Sequence, residues 1–200
     1  GIFQLVKVAL SSVVALFGTY QIAANGVAQS IWSLAALVGV TMGPVFITVI
    51  GQCMGAKDID GAHYYFKKLM KITLIFSIIW NVFILAITPL FLQYYQLSSD
   101  TKHLIFILVI IHNLFNTIAF PFSGPLSNGL RAAGDVKFTM VVSILSTVVV
   151  RGIFSIIFGI TLNLGVIGIA LAMCADWSMR AIVFHLRYKS DKWTQFSVIE

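Results

Sequence analysis

Apolar residues run in blocks of membrane length, and the polar residues inside those blocks recur on one side of a helix. About 20 apolar residues cross a bilayer. Blocks of that size cover residues 2–22, 30–50, 72–92, 104–122, 138–160 and 164–183. They predict an all-α membrane protein: a six-transmembrane-helix bundle over residues 1–187, followed by a polar tail, 188–200. Lys7 lies near the start of the first span and can snorkel to the interface. The stretch 23–29, AANGVAQ, reads as an uncharged turn. Pro44 follows Gly39 and Gly43 and predicts a kink in the second span. Residues 51–71 become amphipathic in their second part, where Ile59, Ala62, Phe66, Leu69 and Met70 alternate with Asp60, His63, Lys67, Lys68 and Lys71. That pattern predicts a helix in the headgroup region running into the third span. Pro121 and Pro125 end the fourth span, residues 127–137 form a loop, and residues 161–163 a tight turn.

Three polar stripes interrupt the apolar blocks. In the fifth span Thr139, Ser143, Thr147, Arg151 and Ser155 recur every four residues, which keeps side chains on one face. An arginine at the centre of a lipid-facing helix costs at least roughly 2.5–3.5 kcal/mol, so Arg151 must face protein or water. Thr73, Ser77 and Asn81 make a similar stripe in the third span, and His112, Asn113, Asn116 and Thr117 cluster in the fourth. The sixth span carries Asp176 and Arg180 one turn apart, with Gly168 and Ala172 on the Asp176 face in a small-xxx-small pattern that permits close helix approach. Two pairings are open: Arg151–Asp176 across a hairpin of spans five and six, or Asp176–Arg180 within one helix. Such a pair is either a proton or cation relay or a salt bridge locking the hairpin. The salt bridge is favoured, because a paired carboxylate resists protonation. Asn81, His112, Asn113, Asn116 and Ser155 are candidate cavity residues. The alternative for them is hydrogen bonding between helices, favoured for Asn81 and evenly balanced for the His112 cluster.

Composition agrees with the pattern. The 200 residues are 59% hydrophobic and 10% charged, against about half and a quarter in soluble domains. The net charge of +6 points to no nucleic acid, because the lysines and arginines sit in short connections. Lys57, Lys67, Lys68 and Lys71 follow the second span, Arg131 and Lys137 the fourth, and Arg187, Lys189 and Lys192 the sixth; the other connections hold only Lys102. This bias predicts that both ends of the chain face the cytoplasm of a cell membrane. Cys53 and Cys174 are too few for a disulfide framework, and no metal set is expected. Motifs of hydrolases and nucleotide-binding enzymes are missing, so no catalytic residues are assigned. The chain starts at Gly1 without a signal segment and reads as a fragment or processed product.

The connections carry a more specific signal. Gly51-Gln52-Cys53-Met54-Gly55-Ala56, followed by Ala62, resembles the GQxxGA…A segment of multidrug and toxic compound extrusion (MATE) transporters. Leu130-Arg131-Ala132-Ala133-Gly134-Asp135 resembles the family's LRxxGD turn. Arg151, Asp176-Trp177 with Arg180, and the tail Arg187…Ser190…Lys192-Trp193 also match, in the same order. The resemblance covers the second half of such a transporter and implies one lobe of a two-lobed fold around a central cavity. It implies export of organic cations, drugs or metabolites by antiport with protons or sodium ions, with no cofactor beyond the coupling ion. The implied partners are a small-molecule substrate, membrane lipids and a missing N-terminal lobe. Gly51, Gln52, Gly55, Arg131, Gly134 and Asp135 would be structural, with the glycines turning the chain at helix ends. Some members carry an acid in the helix matching the first span; none occurs here, which would shift coupling to the missing lobe. Two alternatives are a lipid-linked oligosaccharide flippase of the same superfamily, which needs several cavity cations, and a non-transporting membrane scaffold.

Overall fold

The computed structural model describes residues 2–196, with side chains from Val8 onward; the side chain of Lys7 and tail residues 197–200 lie outside the described residues. The described chain is helical with no strand. Its elements are α1 (Ile2–Val14), α2 (Thr19–Ala35), α3 (Leu37–Gly55), α4 (Ile59–Gln93), α5 (Ser99–Ile118), α6 (Phe120–Ser123), α7 (Pro125–Ala132), α8 (Val136–Leu145), α9 (Gly152–Phe154) and α10 (Gly165–Lys189). Short 3₁₀ turns, Ala15–Phe17 and Lys192–Gln195, follow α1 and α10. Five helical stretches are long and apolar enough to cross a membrane, and Val8–Phe17 is a shorter apolar helix. Together they make the six-helix membrane bundle.

The polar residues of the spans face inward, among apolar core clusters, and the outer surface is apolar. On α4, Thr73, Ser77, Asn81 and Thr88 are buried, while Ile75, Phe76, Ile79, Val82 and Phe83 are exposed. Water would reverse that arrangement; hydrocarbon favours it, because exposed apolar side chains cost nothing in lipid. α4 runs unbroken for 35 residues, about 52 Å at 1.5 Å per residue, against a hydrocarbon core of about 30 Å. Its basic first part and its apolar second part are therefore one helix, started by the Asp58 carboxylate, which accepts a hydrogen bond from Gly61 N (2.8 Å).

The first two spans are divided differently from the sequence expectation. The chain breaks at Gly18, whose φ of 89° suits glycine, and residues 23–29 lie inside α2 rather than in a turn. α2 and α3 form one long span with an elbow at Ala36, and Pro44 sits within α3 without ending it. Gly51 and Gly55 are helical with open space around them; the turn after α3 is made at Lys57, with φ 58°. Gly134 does turn the chain, at φ 95°. Much of the expected 127–137 loop is the short helix α7.

The organising span is not a plain α-helix. Between α8 and α9, residues Ser146–Arg151 form a π-helical turn, and a second one covers Ser155–Thr161. In an α-helix, residues four apart drift by about 40° per step, or about 160° from Thr139 to Ser155. The wider i→i+5 turns offset that drift, so Thr139, Ser143, Thr147 and Ser155 all stay buried.

The three basic connections meet at one end of the bundle. Arg187 donates to Asp135 in a bidentate pair (Nε–Oδ2 2.6 Å, Nη2–Oδ1 3.2 Å), and its guanidinium lies 4.5 Å from the Phe138 ring centroid. Trp193 is fully buried against Phe66 and Tyr188, and His63 Nε2 lies 3.6 Å from Asp191 Oδ1. Lys102 sits by the opposite end of α4, beside Pro89 and Gln93.

Candidate functional site

A cavity of about 300 Å³ opens among α1, α2, α6, the π-helical turn and α10. Asn25, Gln29 and Trp32 reach it from α2 at i, i+4 and i+7, the repeat of one helix face. Trp177 and Met173 come from α10, Phe120 from α6 and Arg151 from the π turn. Trp32 stacks on Trp177 with ring centroids 5.5 Å apart, and Phe120 meets both edge-on at 6.4 and 5.5 Å. The three rings form one aromatic wall.

Its polar wall is unsaturated. Arg151 makes no hydrogen bond or ion pair among the described residues, and its Nε is buried. Trp32 Nε1 is likewise buried without a partner. Both atoms are donors only. The lining contains no Asp or Glu. The nearby Asp176 charge offsets part of the cost of burying Arg151, but its unmet N–H donor still calls for water or for an acceptor brought by another molecule or lobe.

Of the two open pairings, the one within α10 forms. Arg180 Nη2 donates to Asp176 Oδ2 at 2.8 Å, and Ser146 donates to Asp176 Oδ1 in a short hydrogen bond. Asp176 is fully buried. Its carboxylate is thus held by Arg180 and Ser146, and its charge acts on Arg151 only from beyond ion-pair distance. α10 also packs closely on the preceding span: a Cβ at Gly168 would overlap the backbone of Phe158 and Gly159.

The five candidate cavity residues lie elsewhere. Asn81 and Asn116 serve the elbow between α2 and α3. Asn116 Nδ2 donates to Asn81 Oδ1 (3.0 Å) and to the Ala35 carbonyl (2.9 Å), and Trp80 Nε1 donates to the Leu34 carbonyl (2.8 Å). Carbonyls at a helix end lack intrahelical donors, and these side chains of α4 and α5 supply them. Asn113 Nδ2 bonds the Val109 carbonyl of its own helix (3.0 Å). His112 and Ser155 are buried with no hydrogen-bond partner among the described residues, and neither lines the cavity.

The motif residues hold structure at the basic end. Arg131 Nε donates to Thr139 Oγ1 (3.2 Å) and Nη2 to Ser143 Oγ (3.4 Å). Burial, and then the charge of Arg180, lower its pKa from the ordinary value, yet a guanidinium stays protonated. Asp135 is the partner of Arg187. Gln52 ends in no side-chain hydrogen bond among the described residues.

Comparison with known proteins gives this arrangement a family. The MatE family model matches residues 2–157. The chain belongs to the MATE family. A curated relative, the uncharacterized transporter YisQ of Bacillus subtilis (strain 168), is 26% identical over 199 residues, spanning 96% of this chain and 42% of the relative. A MATE structure in complex with MaL6 superposes with a TM-score of 0.84 at 20% identity, over 98% of this chain and 44% of that one. A MOP superfamily transporter of Pyrococcus furiosus Vc1 (DSM3638), described as having a binding pocket of reverse polarity, gives a TM-score of 0.82 at 21% identity, over 98% and 43%. This MATE lobe therefore spans less than half the length of the relatives it matches.

Proposed function

We propose that the full-length protein is a secondary active exporter of drugs or metabolites in the cell membrane, driven by exchange for protons or sodium ions. Family membership supports transport, and the observation that carries the finer reading is the cavity itself. It joins an aromatic wall (Trp32, Phe120, Trp177) to free amides (Asn25, Gln29) and an unpaired arginine. Small-molecule sites typically combine apolar walls with a few placed polar groups. The protein works without a cofactor beyond the coupling ion and without catalysis. No acid among the described residues lines this wall, which supports placing ion coupling in the facing N-terminal lobe. The meeting of all three basic connections at one end supports a cytoplasmic position for both ends of this stretch.

Organic cations would be held here by the aromatic faces, through cation–π attraction, and by acids of the facing lobe. A second reading has an observation of its own. Arg151 Nε and Trp32 Nε1 are two buried donors without acceptors, which favours a compound that presents an oxygen anion. The lipid-linked oligosaccharide flippase ranks lower, because Arg180 is tied to Asp176 and only Arg151 remains to hold a pyrophosphate. The cavity speaks against a mere scaffold.

The test uses the full-length protein in liposomes with an imposed proton or sodium gradient, with ethidium as cationic and fluorescein as anionic probe. Gradient-driven flux of either dye is expected, and loss of fluorescein flux in Arg151→Gln would select the second reading. Flux of neither dye under either gradient overturns the exporter.

A further inference from the structure

A second cavity, of about 400 Å³, lies outside the transport site, between α4, α6, α7 and α10. Its geometry is that of an amphiphile. Lys67 and Lys71 stand one turn apart on α4 at one end, with His185 and Tyr188 across from them on α10. Below the lysines the same face of α4 continues as Leu74, Ile75 and Ile78, opposite Phe122 and Leu126. Between Ile72 and Leu92 no residue of α4 is charged, so Lys71 marks the edge of the hydrocarbon. Ile78 lies seven residues further, about 10 Å deeper at 1.5 Å per residue.

Three observations say what occupies this groove. Among the described residues its lining carries charge of one sign, since no Asp or Glu lines it and both lysines are exposed without an ion pair; Asp191 acts on Tyr188 from outside the lining. It holds an unused donor: Tyr188 lines the cavity, and its hydroxyl is buried with no hydrogen-bond partner. Its remaining wall is hydrocarbon that faces the bilayer, and the His185 ring closes one corner edge-on against Phe122 at 5.5 Å. Ammonium groups and a hydroxyl over an apolar slot fit one ligand chemistry, a phosphodiester carrying a net negative charge with an acyl chain attached.

We propose that this groove is a binding site for an anionic phospholipid. The phosphate sits between Lys67 and Lys71 with the Tyr188 hydroxyl as a further donor, and the upper part of one chain runs along Leu74, Ile75 and Ile78. The site is independent of the exporter reading, because none of its residues lines the transport cavity.

Native mass spectrometry of the purified full-length protein tests it, with dioleoylphosphatidylglycerol and dioleoylphosphatidylcholine titrated in parallel. A lysine near anionic lipid contributes roughly a fivefold gain in affinity, so both together give roughly 30-fold. Phosphatidylglycerol should bind with that order of preference, and Lys67→Ala/Lys71→Ala should remove it without changing the weak phosphatidylcholine binding. Tyr188→Phe, which keeps the ring in place, should reduce phosphatidylglycerol binding alone. Lys68→Ala is the control, because Lys68 is exposed on the same helix but does not line the groove. Equal binding of the two lipids overturns the site. So does a Lys68→Ala loss as large as that of Lys67→Ala/Lys71→Ala, which would show only diffuse surface charge.

Discussion

Two buried polar regions of this lobe have similar composition and opposite status. At the elbow of α2 and α3, two asparagines and a tryptophan address the backbone carbonyls of Leu34 and Ala35. Around the aromatic cavity, an arginine and a second tryptophan hold donors with nothing to donate to. Burial alone does not separate them, since Arg151 Nε and Trp32 Nε1 are closed to solvent as the Asn116 side chain is. Satisfaction does. The difference lies in the donors: at the elbow each amide and indole N–H meets an acceptor and only the Asn116 Oδ1 acceptor is left open, whereas around the cavity the donors themselves are unmet.

That difference can be tested by removing one member at a time and following SDS-induced unfolding of the full-length protein. Asp176→Leu should have the largest effect, about 3–5 kcal/mol, because it strands Arg180 without its counter-charge. Asn116→Leu should cost about 1 kcal/mol, the upper range for a hydrogen bond between membrane helices, with dye transport intact. Arg151→Gln should not destabilise the fold, because no described hydrogen bond or ion pair is lost and a charge is removed from a buried site. If Arg151→Gln destabilised as much as Asp176→Leu, Arg151 would be a structural ion in the complete protein, paired across the lobes. If Asn116→Leu abolished transport at unchanged stability, the elbow would belong to the substrate path.

Periodicity carried most of the fold. Residues four apart placed Thr73, Ser77 and Asn81 on one buried face, and Thr139 to Ser155 on another, because lipid and protein interior impose opposite demands on the two sides of a helix. Helix breaks were less legible. The polar run at residues 23–29 has the composition of a loop, yet it is helical because Asn25 and Gln29 face a cavity. The i, i+4, i+7 repeat of Asn25, Gln29 and Trp32 is the signal that would have found it. Asn81 and Asn116 point inward, as their spacing requires, but spacing says nothing about which inward acceptor they meet. For Asn116 the acceptor is Ala35, in another helix, exposed by a break that only tertiary structure reveals, while Asn81 bonds the Ser77 carbonyl of its own helix (2.8 Å) and reaches Ala35 at 3.5 Å. For the Asp176 pair, the choice of Arg180 over Arg151 rests on local geometry: residues four apart on one helix are already neighbours.

The unbroken length of α4 has one more consequence. Lys71 and Asn81 are ten residues apart on a single rod, so the lysine collar and the elbow clamp stand about 15 Å from each other along its axis. Between the two the helix is unbroken. Tilt of the rod is one response to a change in bilayer thickness, and a tilt of α4 would carry the elbow clamp with it.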